Sequence, residues 1–152
     1  MPRLLLFAPC DNVLLSGEAQ SASLIIVLSQ LVFQAALPDL LPPNAAVPMR
    51  WCTFSQWEMG ESEVGIEYAQ KVSLIGPDGS EKIANTVTFT GEQDKPVHRV
   101  VVTNFGFPIV AAGIYRFKLS YQRTGEENWV DAADYPLQVS YAPAAVPTPA
   151  VQ

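Results

Sequence analysis

The sequence predicts an all-β protein, an antiparallel immunoglobulin-like β-sandwich of about seven to eight strands. Apolar and polar residues alternate with a period of two in short runs, turn residues separate these runs, and no long amphipathic helix is apparent. The 152 residues suffice for one domain with a real core. We therefore expect one sandwich domain over residues 1–141, followed by a Pro/Ala-rich tail over residues 142–152.

The N-terminal third contains two predicted strands and one ambiguous region. Residues 4–8 and 49–57 form short apolar runs, the second rich in aromatic residues, and both are typical of strands. Between them, the Leu, Ile and Val residues of segment 20–36 fit a helical stripe and equally a buried strand with a bulge. Residues 37–48 hold four prolines, which predicts an irregular connection.

The middle of the chain predicts a β-hairpin. In residues 64–74 the apolar side chains lie on one face of an extended segment, and only Gln70 interrupts that face. The segment 76–79, Gly-Pro-Asp-Gly, follows as a turn because proline presets φ and glycine accepts a positive φ. The next run, residues 83–90, places apolar residues on one side and threonines on the other, so we expect the two runs to pair.

The C-terminal strands follow the same rules. Residues 97–105 are rich in β-branched side chains and nearly continuous in apolar character, which predicts a central strand. Residues 115–121 and 135–141 alternate cleanly, so each is expected to have one wet face and one core face. Residues 142–152 contain three prolines, which favours polyproline II and leaves a linker, a frayed end or a docking peptide open.

The charge balance excludes some partners. The chain carries a formal charge of -6, and its 9 basic residues are scattered rather than clustered. Nucleic acids and anionic membranes are therefore not expected as partners. The apolar run at residues 4–8 is too short for a signal peptide and no later run is long enough to span a bilayer, so we expect a cytoplasmic protein.

Two cysteines, Cys10 and Cys52, are far apart in the sequence. We interpret them as buried thiols that behave as small hydrophobic residues, which suits a cytoplasmic protein. A single disulfide that bridges two distant segments stays open as the alternative.

No catalytic, metal or cofactor site is expected. His98 is the single histidine and lies in a predicted strand, so a structural role is favoured over a catalytic one, and no G-x-S-x-G motif supports it. Two cysteines and one histidine are too few ligands for a structural zinc site. The acidic residues of segment 58–67 lack the spacing of a calcium loop, and the glycine motifs that bind phosphate are missing.

Aromatic residues supply the candidate contact sites. Trp51, Trp57 and Trp129 belong to the residue type most enriched at interaction hot spots, and at least one of them is expected in the core. Segment 104–108 sets two phenylalanines around a glycine in a predicted loop, where one is expected to close the sandwich and the other to be exposed. We select Trp57, Phe107 and Trp129 as candidate protein contacts.

Short motifs follow one another between residues 3 and 141: Cys10-Asp11, Leu24-Ile25-Ile26, the Pro42-Pro43 to Pro48 connection, Leu74-Ile75-Gly76-Pro77-Asp78-Gly79, Gly113-Ile114-Tyr115-Arg116-Phe117 and Pro136-Leu137-Gln138-Val139. Their order resembles that of an uncharacterised family of small bacterial β-sandwich proteins, a domain of unknown function. The resemblance implies a strand near Leu24, and we predict a strand there. The Ala- and Leu-rich stretch 32–46 departs from the family's pattern, so its pairing stays open. The resemblance implies no activity, and no functional residue is carried over.

The motif at residues 113–117 also resembles the start of a late strand in immunoglobulin-like domains. In such domains a tyrosine often ties a loop back to the sheet. The resemblance therefore implies that Tyr115 ties a loop back to the sheet.

These features favour a cytoplasmic, non-catalytic protein-interaction module that binds a protein partner through a sheet face, an edge strand or its loops. The alternative is a structural subunit of a larger assembly, phage-like or homo-oligomeric, in which the Pro-rich tail reaches a neighbouring copy. An enzyme is the least favoured class because no residue pattern supports one.

Overall fold

Strands account for nearly all regular structure in the protein. The computed structural model describes residues 1–17, 21–34, 45–108, 111–142 and 149–150, so most of the predicted tail lies outside the described residues. Within these ranges it contains nine strands and no α-helix, which confirms the all-β prediction. The strands are β1 (Arg3–Ser16), β2 (Ser21–Val27), β3 (Gln30–Gln34), β4 (Ala46–Glu58), β5 (Glu67–Ile75), β6 (Glu81–Thr90), β7 (Val97–Pro108), β8 (Gly113–Arg123) and β9 (Val130–Ala142).

The strands form two sheets that pack as a β-sandwich. Sheet 1 has the order β2-β1-β4-β7, and sheet 2 has the order β3-β9-β8-β5-β6. The pair β3 and β9 is parallel, so the prediction of a purely antiparallel sandwich is wrong at this pair. The chain leaves sheet 1 at Leu28, whose side chain enters the core. The strand predicted near Leu24 is therefore confirmed, but it forms two elements, and the strand count exceeds the predicted number.

The main core lies between the two sheets and is rich in aromatic side chains. Trp51 packs edge-on against Phe107 within sheet 1, with ring centroids 5.8 Å apart. The ring of Trp51 also lies 5.6 Å from that of Phe117 in sheet 2. Trp57 spans the sheets in the same way, 5.1 Å from the ring of Tyr121. Burial of such large apolar side chains is the dominant stabilising contribution in a sandwich of this kind.

Gln70, which interrupts the apolar face of β5, belongs to a buried hydrogen-bond network. Its Oε1 accepts a hydrogen bond from Trp57 Nε1 at 2.8 Å and another from Ser55 Oγ at 2.6 Å. All three side chains are buried. Trp57 Nε1 also lies 3.2 Å from Ser55 Oγ, so Gln70 provides the shorter of its two contacts. Because an unpaired buried donor costs about 1–3 kcal/mol, Gln70 and Ser55 together allow Trp57 to be buried completely.

A second, smaller cluster lies on the opposite face of β4. Neighbouring residues of a strand point to opposite faces, so Trp51 faces the main core whereas Cys52 and Phe54 face away from it. Cys10 of β1 joins them, and both cysteines are buried free thiols, as predicted. The side chains that pack over this second cluster come from the β1–β2 hairpin and from β7: Val13, Ala22, Leu24 and Val101.

Strand β7 lies at the edge of sheet 1, so the prediction of a central strand at residues 97–105 is wrong. Its continuous apolar run has another cause. Val100 and Val102 contribute to the main core, whereas Val101 packs on the second cluster. Apolar side chains of β7 therefore pack on both of its faces, although β4 is its only partner among the described strands.

Two local predictions are confirmed. Strands β5 and β6 form the expected antiparallel hairpin, and Gly79 in its turn has a φ of 82°. The Tyr115 hydroxyl donates a hydrogen bond of 3.0 Å to the carbonyl oxygen of Ala111, so this tyrosine ties the preceding loop to sheet 2.

The Pro-rich connection ends earlier than predicted. Residues 37–44 lie outside the described residues, but Pro48 already belongs to β4. The register of β4 against β7 shifts between Val47 and Arg50, next to this proline. A proline has no N–H to donate to the ladder, and a bulge is where a strand accommodates it.

Candidate functional site

His98 packs as a structural side chain. Its ring stacks on that of Phe89, with centroids 5.3 Å apart and an interplanar angle of 21°. Burial lowers the pKa of His98, with Glu92 opposing this shift and Lys95 adding to it. The imidazole is therefore neutral at neutral pH and acts as a flat packing surface.

A depression of about 610 Å³ lies beside the short 3-10 turn at Glu61–Glu63, and its lining mixes acidic and apolar residues with one lysine. It includes Glu92, Asp94 and Lys95. Lys95 forms an ion pair with Glu92, and the hydrogen bond between them lowers the pKa of Glu92. Among the described residues, no group of three or more His, Cys, Asp or Glu side chains is placed to hold a metal ion.

Two of the three predicted contact residues lie in the core, and the third lies near the surface. Trp57 and Phe107 are both 0% exposed and belong to the main core, so neither offers a surface to a partner. Their size explains this placement, because large aromatic side chains contribute most to a sandwich core. Trp129 is half-buried, and the Lys71 ammonium lies 4.9 Å from its ring centroid in a cation–π contact. A contact role for Trp129 stays a prediction.

Segment 104–108 has one buried and one exposed phenylalanine, as predicted, but the exposed residue is Phe105 rather than the selected Phe107. Phe105 is 82% exposed, whereas Phe107 two positions later is buried. Residues two apart normally share a face of a strand, but Gly106 has a φ of 84° and the register against β4 shifts here. Segment 104–108 is thus an irregular part of β7 rather than a loop, and the two phenylalanines point to opposite faces.

The β1–β2 hairpin carries the largest group of exposed apolar side chains along consecutive positions of the described strands. We call this group the hairpin surface, and its members are Leu14, Leu15, Ile25, Ile26 and Val27. Because neighbouring residues alternate in direction, the surface occupies both faces of the hairpin. The sequence offered a buried strand within residues 20–36, and for β2 that burial is wrong. Of its side chains, Ala22 and Leu24 pack against the small second cluster.

Strand β2 is also an unprotected edge. It lies at the end of sheet 1, and β1 is its only partner among the described strands. Its seven residues, Ser21–Val27, include no charged residue and no proline. Natural sheets usually place charges or prolines on such edges because the free backbone groups otherwise recruit another strand.

The other sheet edges within the described residues differ from β2. Strand β6 begins with Glu81 and Lys82, and β7 includes Arg99. Strand β3 lacks charge, but its Leu31 and Phe33 pack against the main core. Among the edge strands that the structure describes, β2 alone combines an uncharged edge with three successive exposed apolar residues.

Ile26 adds backbone strain to this surface. Its φ is 52°, a conformation that β-branched residues avoid, and its side chain is 67% exposed. Regular pairing with β1 is present on either side, at Cys10 with Val27 and at Asn12 with Ile25. Such a conformation costs about 1–3 kcal/mol, and it is typical of sites that present a side chain to a ligand.

No model of a known protein family matches the chain. No curated protein is significantly similar to it either. The resemblance to the uncharacterised β-sandwich family therefore stays a prediction. Within the described part of the chain, no helix has the length and apolar character that crossing a bilayer requires.

Proposed function

We propose that this protein is a non-catalytic protein-interaction module that binds its partner through the β1–β2 hairpin. One observation carries the proposal: an uncharged edge strand and the exposed hairpin surface occur in the same element. The free backbone groups of β2 supply hydrogen bonds to an added strand, and the hairpin surface supplies apolar area.

The chemistry of β2 specifies the partner. Ser21–Val27 has no charge, so no ion pair strengthens the contact and a charged partner strand loses solvation without compensation. The partner segment is therefore an extended, uncharged strand with apolar side chains at alternate positions. Affinity comes from main-chain hydrogen bonds and apolar burial, and specificity comes from the side chains around Ile25 and Ile26.

A second candidate function, a structural subunit of a homo-oligomeric assembly, is favoured by the symmetry of the same strand. If two copies of β2 pair antiparallel about Leu24, Ser21 opposes Val27 and Ser23 opposes Ile25. No like charges face each other in that arrangement, although the chain carries a net charge of -6. A self-complementary contact of this kind closes as a two-fold dimer.

We propose further that the sandwich is immunoglobulin-like. The packing of two sheets and the Tyr115 hydrogen bond to the preceding loop support this assignment. We also propose a reducing, cytoplasmic environment, since both buried cysteines are free thiols.

Recovery of bound protein by surface variants tests the proposal. Tagged wild type, Ile25→Lys and Thr88→Lys are expressed in cells that carry the gene, and co-purified proteins are quantified by mass spectrometry. Ile25 lies in β2, whereas Thr88 is an exposed residue of β6 in sheet 2. Burying an unpaired lysine at the contact should lower recovery of the partner about tenfold or more for Ile25→Lys only.

Light scattering of the same three proteins separates the two candidate functions. A dimeric wild type with a monomeric Ile25→Lys variant supports self-assembly, and a chain ending at Tyr141 shows whether the tail contributes. A monomeric wild type with variant-dependent recovery supports a foreign partner. Equal recovery by Ile25→Lys and Thr88→Lys, together with unchanged mass, would remove the β1–β2 hairpin as the contact.

A further inference from the structure

The two cysteines occupy directly opposed positions on neighbouring strands. Cys10 of β1 pairs with Cys52 of β4, and the flanking pairs Pro9 with Thr53 and Ala8 with Phe54 continue the same antiparallel register. Directly opposed residues project from the same face of a sheet. The Cα atoms of opposed residues in antiparallel strands are typically about 4.5–5.5 Å apart, within the range of about 4.4–6.8 Å that disulfides span.

The surroundings of the two thiols limit what they can react with. Both side chains lie in the second cluster, with Cys10 0% and Cys52 1% exposed. The Cys52 Sγ lies 3.6 Å from Thr103 Oγ1. These are the only cysteines of the chain, so each has the other as its sole intramolecular partner for a disulfide.

The folded state protects this pair from immediate reaction. Burial raises the pKa of Cys10 to about 11, and the neighbouring Cys52 and Asp11 add to the shift. The thiolate is the nucleophile in disulfide exchange, so the buried Cys10 thiol is inert at neutral pH. Reaction therefore requires the β1–β2 hairpin to open and admit water and reagent to the second cluster.

We propose that Cys10 and Cys52 form a thiol-oxidation site that takes a low-molecular-weight disulfide, such as glutathione disulfide, and closes to a cross-strand disulfide. In the first step one cysteine thiolate attacks the reagent, which forms a mixed disulfide and releases one glutathione thiolate. In the second step the other cysteine attacks its neighbour's mixed disulfide and releases the second glutathione. The protein loses two hydrogens and the reagent is reduced to two thiols.

The product links the inner end of the β1–β2 hairpin covalently to the central strand β4. Cys10 precedes the irregularity at Asp11 and Ile26, so the bond lies where the hairpin leaves the regular sheet. A link between residues 10 and 52 closes a long loop, which restricts the unfolded chain. The oxidised protein should therefore unfold at a higher temperature, by on the order of 10 °C.

The test is oxidation of the folded full-length chain with glutathione disulfide near neutral pH. Intact mass measured without reductant should show the loss of two hydrogens and no retained glutathione. Proteolysis without reductant should release a linked pair of peptides that contain Cys10 and Cys52. Tm should rise, and dithiothreitol should restore both the starting mass and the starting Tm.

Single-cysteine variants provide the matched control. Cys10→Ser and Cys52→Ser should react no further than a glutathione adduct, and glutathione disulfide should not raise their Tm. The wild-type result alone decides the proposal if either variant fails to fold. A wild-type chain that stays reduced, retains glutathione as its end product or forms a disulfide between two chains would overturn it.

Discussion

The β5–β6 hairpin and the β1–β2 hairpin are built from similar elements but differ in what their side chains meet. In β6, Phe89 enters the main core, while the exposed face carries threonines such as Thr86 and Thr88. In β2, three of the five exposed positions carry the apolar residues Ile25, Ile26 and Val27, and the strand contains no charged residue. Both β6 and β2 are edge strands of their sheets.

This difference supports the proposal that β2, unlike β6, pairs with a further strand. Polar and charged residues on β6 favour solvent over a neighbouring strand. The uncharged β2 exposes apolar side chains, which do not stabilise an isolated monomer. We infer that β6 serves the stability of the sandwich, whereas β2 serves recognition.

The largest expected effect is the difference in stability between two truncations, one in each hairpin. Phe89→Ala removes a buried ring that stacks on Trp57 at 5.7 Å, and it should lower the free energy of unfolding by about 3–5 kcal/mol. Ile25→Ala, at an exposed site, should change it by about 0.5 kcal/mol or less. Urea denaturation of both variants measures the difference, and a comparable loss in the two would show that β2 is structural.

The next effect concerns the polar network on β5. Gln70→Leu removes the Oε1 that accepts from Trp57 Nε1 and Ser55 Oγ, and it leaves Trp57 Nε1 only the longer contact of 3.2 Å to Ser55 Oγ. The free energy of unfolding should therefore fall by about 1–3 kcal/mol. Ser55→Ala is the control, because Trp57 keeps its bond to Gln70 in that variant. Chemical denaturation measures both. If Gln70→Leu were as stable as wild type, the network would not explain the burial of Trp57.

Backbone conformation supplies a third, smaller effect of opposite sign in the two hairpins. Ile26→Gly relieves a φ of 52° and should raise the free energy of unfolding, or leave it unchanged, despite the entropy cost of glycine. Gly79→Ala forces a β-carbon into a φ of 82° and should lower it by about 1 kcal/mol. Thermal unfolding compares them. A loss of about 1 kcal/mol or more in Ile26→Gly would show that Ile26 is not strained.

The smallest effect is a pH dependence of stability that arises where His98 of β7 stacks on Phe89 of β6. The pKa of His98 is lowered mainly by burial beside Phe89, so the unfolded chain binds a proton at higher pH than the folded chain. The contribution of neutral His98 is complete above about pH 6.5 and is lost as the pH falls through its lower folded pKa. His98→Gln should show a weaker decline of the urea midpoint between about pH 7.5 and 5.5. Parallel pH profiles of variant and wild type would contradict this assignment.

The β5–β6 hairpin could be predicted from sequence because its signals are local. Alternation of apolar residues, the Gly-Pro-Asp-Gly turn and the strand propensities all indicate the same structure. Gln70 looked like a break in the pattern, since no local rule reveals that Trp57 lies across the core from it. The tie between Tyr115 and its preceding loop was expected on other grounds, from the resemblance of residues 113–117 to a late strand of immunoglobulin-like domains.

The candidate site could not be predicted in the same way because it depends on long-range pairing. The apolar pattern of segment 20–36 fitted both a helical stripe and a buried strand, and only the family resemblance favoured a strand near Leu24. The edge position of β2 follows only from how β1 pairs with β4. The opposition of Cys10 and Cys52 depends on that same pairing. Phe105 was missed because the face it occupies is set by Gly106 and a register shift rather than by alternation.

Site-specific photo-crosslinking tests the recognition role of β2 most directly. A photo-reactive amino acid is placed at Ile26 in β2 or, in a separate protein, at Thr86 in β6, both of which are exposed. The hairpin account predicts one discrete crosslinked product from position 26, with a partner or with a second copy, and none from position 86. Equal products from both positions, or products from position 86 alone, would contradict it.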